Sequence, residues 1–312
     1  MSLNPSLPRN VTFHDATKPD ETLGGFVQNG SITEANFLDI LGILLVIEDP
    51  IRVQERTSSH IVSRTSMPLQ TGVYDIYCDC MCYIQVPPRY SVAHLLILPA
   101  SIQVSNEPWV PKLITHKISG REERFRDEIR DRDRKCVITG ASIPEIHIQA
   151  NNWTAFEAAH IFPLQHESHW VQYDYGRWMT DMDDATGSSR INSIKHGFLL
   201  WEPVHTMFDR YLISVNPDDG YKVVAFDIDI DGYDGRILDP VCRNPKDPHC
   251  VSKEILTWHF RQSVLANIRG AGEPIFEYDS PSGTDMEGEV LAGPYAQDGF
   301  DLQIAKGLVE VV

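Results

Sequence analysis

His160 closes the run Phe156-Glu157-Ala158-Ala159-His160-Ile161-Phe162-Pro163-Leu164, where an apolar strand ends just ahead of Ile-x-Pro. Downstream, Lys195-His196-Gly197-Phe198-Leu199-Leu200-Trp201-Glu202-Pro203-Val204-His205-Thr206-Met207-Phe208-Asp209 adds two more imidazoles and, after Glu202, the carboxylate of Asp209. Imidazole titrates near neutrality, so it suits both proton transfer and metal ligation. His205 and Asp209 are four residues apart, and on a helix such residues share a face, so the two can converge on one ion. Glu157 and Ala159 are two apart on a strand and also share a face.

The elements that must position these groups are legible around them. The first run ends in a strand over 154–160; a long loop with Asp181, Asp183, Asp184 and Gly187 follows. A second apolar strand spans about 197–201, and a helix starts near Pro203, where proline's missing N–H would have no partner anyway. Ahead of the first strand, Arg121 to Lys135 interleaves seven basic with six acidic residues, with Phe125 and Ile129 on one helical face. Two readings stand for that helix: a solvated face laced with ion pairs, or arginines such as Arg130, Arg132 and Arg134 touching a phosphate backbone.

The remaining parts hold no catalytic constellation. Through about residue 115 the chain reads as mostly strands with one helix. The capping pattern Ser31-Ile-Thr-Glu34 predicts a helix over about 32–46, and strands are expected at 52–65, 73–86, 91–98 and 109–118. From 214, Asp218-Asp219-Gly220 marks a hairpin turn. The alternating Asp227, Asp229, Asp231 and Asp234 predict a second strand and turn, since the closing glutamate of a calcium loop is missing. Leu256, Phe260, Val264 and Ile268 predict a buried helical stripe over 252–269, and 279–301 reads as loosely ordered. Cys78, Cys80 and Cys82 alternate on the inward face of a strand, without the Cys-x2-Cys turn of zinc sites. Cys242, His249 and Cys250 lack a clear fourth ligand. His147, His166 and His169 are assigned no role beyond possible substrate contact.

Strand, loop, strand and His-x3-Asp helix, in this order and with His-Ile-x-Pro, resemble the ββα-metal finger of the HNH nucleases. They resemble especially the fungal HNH proteins whose motif begins Ala-Ala-His-Ile. Lys135-Cys136-Val137-Ile138-Thr139-Gly140 is similar to the turn that leads into that subgroup. The resemblance implies that His160 is the general base and that His205, with Asp209 one turn later, holds a divalent metal. His196 then stands where the family usually has an asparagine that braces the loop. Ala159 stands where many members place a ligand. Either Glu157 reaches the ion instead, or water and substrate phosphate complete the shell, as Mg²⁺ tolerates. The implied cofactor is Mg²⁺ or Mn²⁺, or else Zn²⁺.

Composition bounds these readings. The 312 residues carry a net charge of −17, which argues against a broad basic surface. Lys and Arg normally supply most non-specific DNA affinity, so a nuclease of this charge must concentrate its cations, with Arg210 a further candidate. Residues 1–10 lack a secretory pattern and the longest apolar run falls short of the roughly 20 residues of a membrane span, so an intracellular, cytoplasmic or nuclear protein is expected. The expected fold is α+β, with a ββα-metal finger embedded between β-rich N- and C-terminal parts. Residues 1–115 form the first part, 116–214 the HNH core, and 215–312 a hairpin, a helix and a loose tail. The leading function is metal-dependent phosphodiester hydrolysis, with DNA as the partner. The alternative keeps the fold as a binding module for a small molecule or protein, or as small-molecule acid/base chemistry at His160.

Overall fold

The computed structural model describes residues 9–47, 50–78, 102–110, 120–181 and 189–270. The expected strand at 91–98, Cys80, Cys82, Asp183, Asp184, Gly187 and the 279–301 tail lie outside them. The chain divides into two compact units, one covering 1–106 and 267–278, the other 107–266 and 279–312.

In the first unit β1 (Val11–Asp15), β2 (Lys18–Phe26), β4 (Ile51–Glu55) and β5 (Gly72–Cys78) form a sheet in the order β2-β1-β5-β4. β1 runs parallel to β5, and the other neighbours are antiparallel. Helix α1 (Glu34–Leu44) buries Phe37, whose ring packs against Phe13, Phe26 and Tyr74. A short ladder joins β3 (Leu45–Val46) to β6 (Gln103–Val104).

Two expectations change here, and one pair of strands was not expected. The capping box of α1 is Thr33 with Asn36, two residues beyond Ser31, because the carboxylate of Glu34 is engaged elsewhere, by His60 and Thr65. The strand expected over 52–65 stops at Glu55, whose carboxylate accepts from the Ser58 N–H at 2.5 Å and closes a turn in which Ser59 is left-handed, φ 61°. The β1–β2 hairpin was hidden by the polar run Lys18-Pro19-Asp20-Glu21, a poor strand composition.

The second unit is built on a two-stranded hairpin with helices on both faces. β7 (Phe156–His160) pairs antiparallel with β8 (Gly197–Trp201), so Phe156 faces Trp201, Glu157 faces Leu200 and His160 faces Gly197. Strand alternation sends Ala159, Phe198 and Leu200 to one core, where Val204 and Phe208 of α5 (Glu202–Asp209) meet them. Leu199 packs on the other side with Phe125 and Ile129 of α2 (Gly120–Asp133). The predicted strands and both helices therefore form, within a residue or two.

Around this hairpin stand α3 (Glu145–Gln149), α4 (Glu167–Gln172), the hairpin β9 (Ile213–Asn216) with β10 (Lys222–Ala225), α6 (Pro240–Arg243) and α7 (Lys253–Asn267). The stripe Leu256, Phe260 and Val264 is buried as expected. The strand expected over 227–234 is instead a loop. Asp229 takes the amides of Tyr233 and Asp234, while Asp234 takes that of Ala225, so carboxylates replace a ladder partner. The described start of the strand expected at 109–118 is also irregular. Val110 gives its N–H to Gln262 and its carbonyl to the Tyr211 hydroxyl, so side chains take both ladder positions. Among the described residues no helix is long and apolar enough to cross a membrane.

Candidate functional site

His160 stands at the last position of β7, only 8% exposed, and its ring stacks on Phe125 with centroids 3.7 Å apart and planes 17° apart. Its Nε2 lies 3.0 Å from the Asn192 side-chain oxygen. Gly197 allows this packing. A Cβ there would come within 2.4 Å of both the Ala159 carbonyl oxygen and the Phe125 ring, so any side chain would push away the ring that carries His160. The need is for space, since the backbone of Gly197 is ordinary extended, φ −165°.

His196, one residue earlier, is fully buried. Its Nε2 accepts the Phe162 N–H at 2.8 Å, which makes Nδ1 the protonated nitrogen, and Nδ1–H donates to the Ile191 carbonyl at 2.5 Å. The ring thus ties the segment just after His160 to the far end of the loop. An asparagine also offers one donor and one acceptor, so the same bracing is within reach of either residue type.

Glu157, His205 and Asp209 come together on the α5 side of the hairpin. His205 Nδ1 is 2.5 Å from a Glu157 carboxylate oxygen, and its Nε2 is 3.2 Å from Asp209 Oδ1. Glu157 reaches His205 because it shares a strand face with Ala159, and Ala159 is packed against the α5 side. With a carboxylate at each ring nitrogen, the three side chains form a string. Among the described residues no three His, Cys, Asp or Glu groups stand in an arrangement that would hold a metal ion. The donor chemistry, one imidazole with two carboxylates, does suit Mg²⁺, Mn²⁺ or Zn²⁺.

The string is anchored from below. Fully buried His259 stacks on Phe208 at 3.7 Å, and its Nε2 lies 3.2 Å from the Phe208 carbonyl oxygen, so α7 holds the end of α5 that carries Asp209. On the opposite face, buried Asp133 accepts the Leu199 N–H at 2.7 Å and pairs with Arg132 at 2.6 Å. Burial pushes the Asp133 carboxyl above its usual range, with Arg132 opposing that push.

The arginines expected to touch phosphate are divided. Arg132 is a correction: its side chain is 5% exposed and bonds the carbonyls of Ile194, Gly197 and His249 as well as Asp133. All of that holds α2 to the second strand and leaves no face for a ligand. Arg130 lies over the Trp153 ring at 4.9 Å, and burial lowers its pKa. Arg134 is exposed in a left-handed conformation, φ 54°, and Arg210 is half-buried at the end of α5. Sequence reasoning missed Phe125 as the stacking partner of His160, although its helical spacing with Ile129 marked it as inward. It also missed Asn192, which carries no motif signal, and Asp133, which reads as one more charge in a charged helix.

The family model described as HNH endonuclease matches residues 136–216. That match supports an HNH-domain protein with a nuclease-type function, and the HNH segment takes in both strands and all of α5. Residues 8–82 match a second model, described as Domain of unknown function (DUF8573). No curated protein and no solved structure matches the chain.

Proposed function

We propose that the HNH segment is a ββα-metal site that hydrolyses phosphodiester bonds with a divalent metal, in DNA. The observation that carries this reading is the cluster of Glu157, His205 and Asp209 beside the first strand, with His160 at the end of that strand, all inside the segment similar to HNH endonucleases. His205 and Asp209, with Glu157 in place of the ligand that Ala159 lacks, supply the donor types that would hold Mg²⁺, Mn²⁺ or Zn²⁺, and would have to leave the string they form here to converge on the ion. When bound, such an ion supplies charge that stabilises the pentavalent phosphate and the leaving oxygen.

The chain's own part is to hold and move a proton. His160 takes a proton from water, whose oxygen attacks phosphorus as the bond to the leaving oxygen breaks. That oxygen then leaves protonated by solvent. Phe125 and Asn192 fix the plane and tilt of the His160 ring, and His196 keeps the following backbone from moving it. Removing a general base typically costs on the order of 10² to 10⁴ in rate. His160→Ala should therefore lose plasmid nicking in Mn²⁺ while Mn²⁺ affinity by calorimetry stays near the parent's. Nicking by the variant at the parent's rate overturns the assignment.

A second reading, a binding module or small-molecule acid/base site at His160, is favoured by the string arrangement of the three donors and by the net charge of −17. No Mn²⁺ uptake together with no nicking by the folded parent protein would select it.

A further inference from the structure

We propose that Asn192 is a positioning residue that sets the tautomer of His160, so that Nε2 carries the hydrogen and Nδ1 is the atom that takes the proton from water. The proposal rests on the phosphodiesterase reading above for the identity of the reactant, whereas the tautomer can be measured without it.

A neutral imidazole has one N–H and one lone pair, and it acts as a base only through the lone pair. His160 Nε2 lies 3.0 Å from Asn192 Oδ1. An amide oxygen only accepts, so Nε2 is the donor there and the lone pair stands on Nδ1. Stacking does not make that choice. The Phe125 ring, 3.7 Å away and 17° from parallel, fixes the plane of the imidazole. A half-turn about the bond from the ring to Cβ keeps that stack and exchanges each nitrogen with a ring carbon. The bond to Asn192 excludes this second orientation, because a ring carbon would then meet the amide oxygen in place of an N–H.

Asn192 can hold the ring because its own segment is tied down on both sides. Ile191, just ahead of it, is 2% exposed, and its carbonyl accepts from His196 Nδ1–H at 2.5 Å. Ser193, just after it, donates its hydroxyl to Asp181 at 2.6 Å. The other nitrogen of His196 accepts the N–H of Phe162, two residues past His160. One buried ring therefore fixes the segment after the base and the segment of the asparagine relative to each other. The His196 ring is centred 5.3 Å from that of His160, and with Nε2 accepting it is neutral, so it sets no charge beside the base.

The test uses the full chain with isotope-labelled histidine in long-range proton–nitrogen spectra, with His160→Ala identifying the His160 signals. The parent should show neutral His160 as the Nε2–H tautomer, with that proton protected from exchange with solvent. Asn192→Leu should lose the protection, and Mn²⁺-dependent nicking should fall about 10- to 100-fold, comparable to the loss when a functional histidine is deprived of the group that orients it. Asn192→Asp keeps an acceptor at this position. It should restore the protected proton, and most of the nicking at mildly alkaline pH, because a carboxylate beside the ring favours its charged form. An Nδ1–H tautomer in the parent, an unprotected Nε2 proton, or protection or nicking that survives Asn192→Leu overturns the proposal and leaves the nuclease reading intact. A parent that shows the tautomer and the protection but nicks nothing removes the nuclease reading, and water as the reactant with it, while the tautomer assignment stands.

Discussion

Each unit sets a histidine against carboxylates, and the two arrangements bury opposite partners. In the first unit Glu34 is the buried member, with a side chain 8% exposed, while His60 is 56% exposed at 2.5 Å. Thr65 donates to the other carboxylate oxygen, so the group ties the 56–65 turn to the start of α1. In the second unit the imidazole lies inside Glu157, 18% against 50% exposed at the same 2.5 Å, with Asp209 deeper still at 10%. A carboxylate buried under its partners is a lock. A half-exposed carboxylate at the surface, in line with an imidazole and with Asp209 behind it, meets solvent and is the arrangement on which the proposed metal reading rests. Residue types alone do not separate the two cases; which partner faces solvent does.

The largest effect should come from what the second cluster stands on. Arg132→Ala leaves the Asp133 carboxylate buried without its cation, and breaking a buried pair from one side costs about 3–5 kcal/mol. Arg134→Ala, at an exposed position just past the end of that helix, should stay within about 0.5 kcal/mol. Urea unfolding of the two variants checks this. Equal losses would mean that Arg132 does not hold the hairpin to α2.

Next in size is the functional contrast itself. His205→Ala should reduce Mn²⁺-dependent nicking by about 100-fold or more, since even residues that only orient ligands typically cost 10- to 100-fold. His60→Ala, at the same chemistry in the first unit, should leave nicking within about twofold. If His60→Ala impairs nicking as much as His205→Ala does, the distinction between lock and open site fails.

A smaller effect probes the altered ligand position. Ala159 is fully buried on the face it shares with Glu157, so Ala159→Asp should cost about 2 kcal/mol or more without metal. If the new carboxylate faces the ion, Mn²⁺ binds more tightly and returns part of that stability. Thermal unfolding with and without Mn²⁺ separates the outcomes. A loss that Mn²⁺ leaves unchanged places Ala159 away from any metal and removes Glu157, its partner on that face, from the ligand set.

The chain showed its second unit more readily than its first. Both strands of the central hairpin are apolar and short, α5 carries a proline near its start, and α7 repeats an apolar residue every four positions, so periodicity alone located them. Glu55 and Asp229 defeated the same reasoning. Each ends or replaces a strand by accepting backbone amides, which no hydrophobic pattern records. Within the site, Glu157 was legible because strand alternation fixes its face. The use of Arg132 was not, because an arginine that bonds three carbonyls from inside a fold has the same one-letter neighbourhood as one on a solvated helix.

The smallest effect, and the one that sets the two units most directly against each other, is their response to acid. In the first unit the Ser58 hydroxyl and amide, with the Thr57 amide, hold the Glu55 carboxyl down to about 2, against an ordinary 4.5. A carboxyl lowered by folding contributes stability above its unfolded value, and that stability is lost as pH falls from 4.5 toward 2. In the second unit burial raises Asp133 above 3.8, so the folded state there binds a proton more readily than the unfolded chain does. Its contribution runs the other way, rising as pH falls through the folded value. The stability gap between parent and Glu55→Gln should therefore be widest above pH 4.5 and close toward pH 2. The gap between parent and Asp133→Asn should instead move in the parent's favour on acidification. Urea unfolding by circular dichroism at half-unit steps between pH 2 and 6.5 gives both gaps. Gaps that shrink together would show that Asp133 is held as a carboxylate by Arg132 more strongly than burial opposes it, and the contrast between the two units would then be lost at this pair.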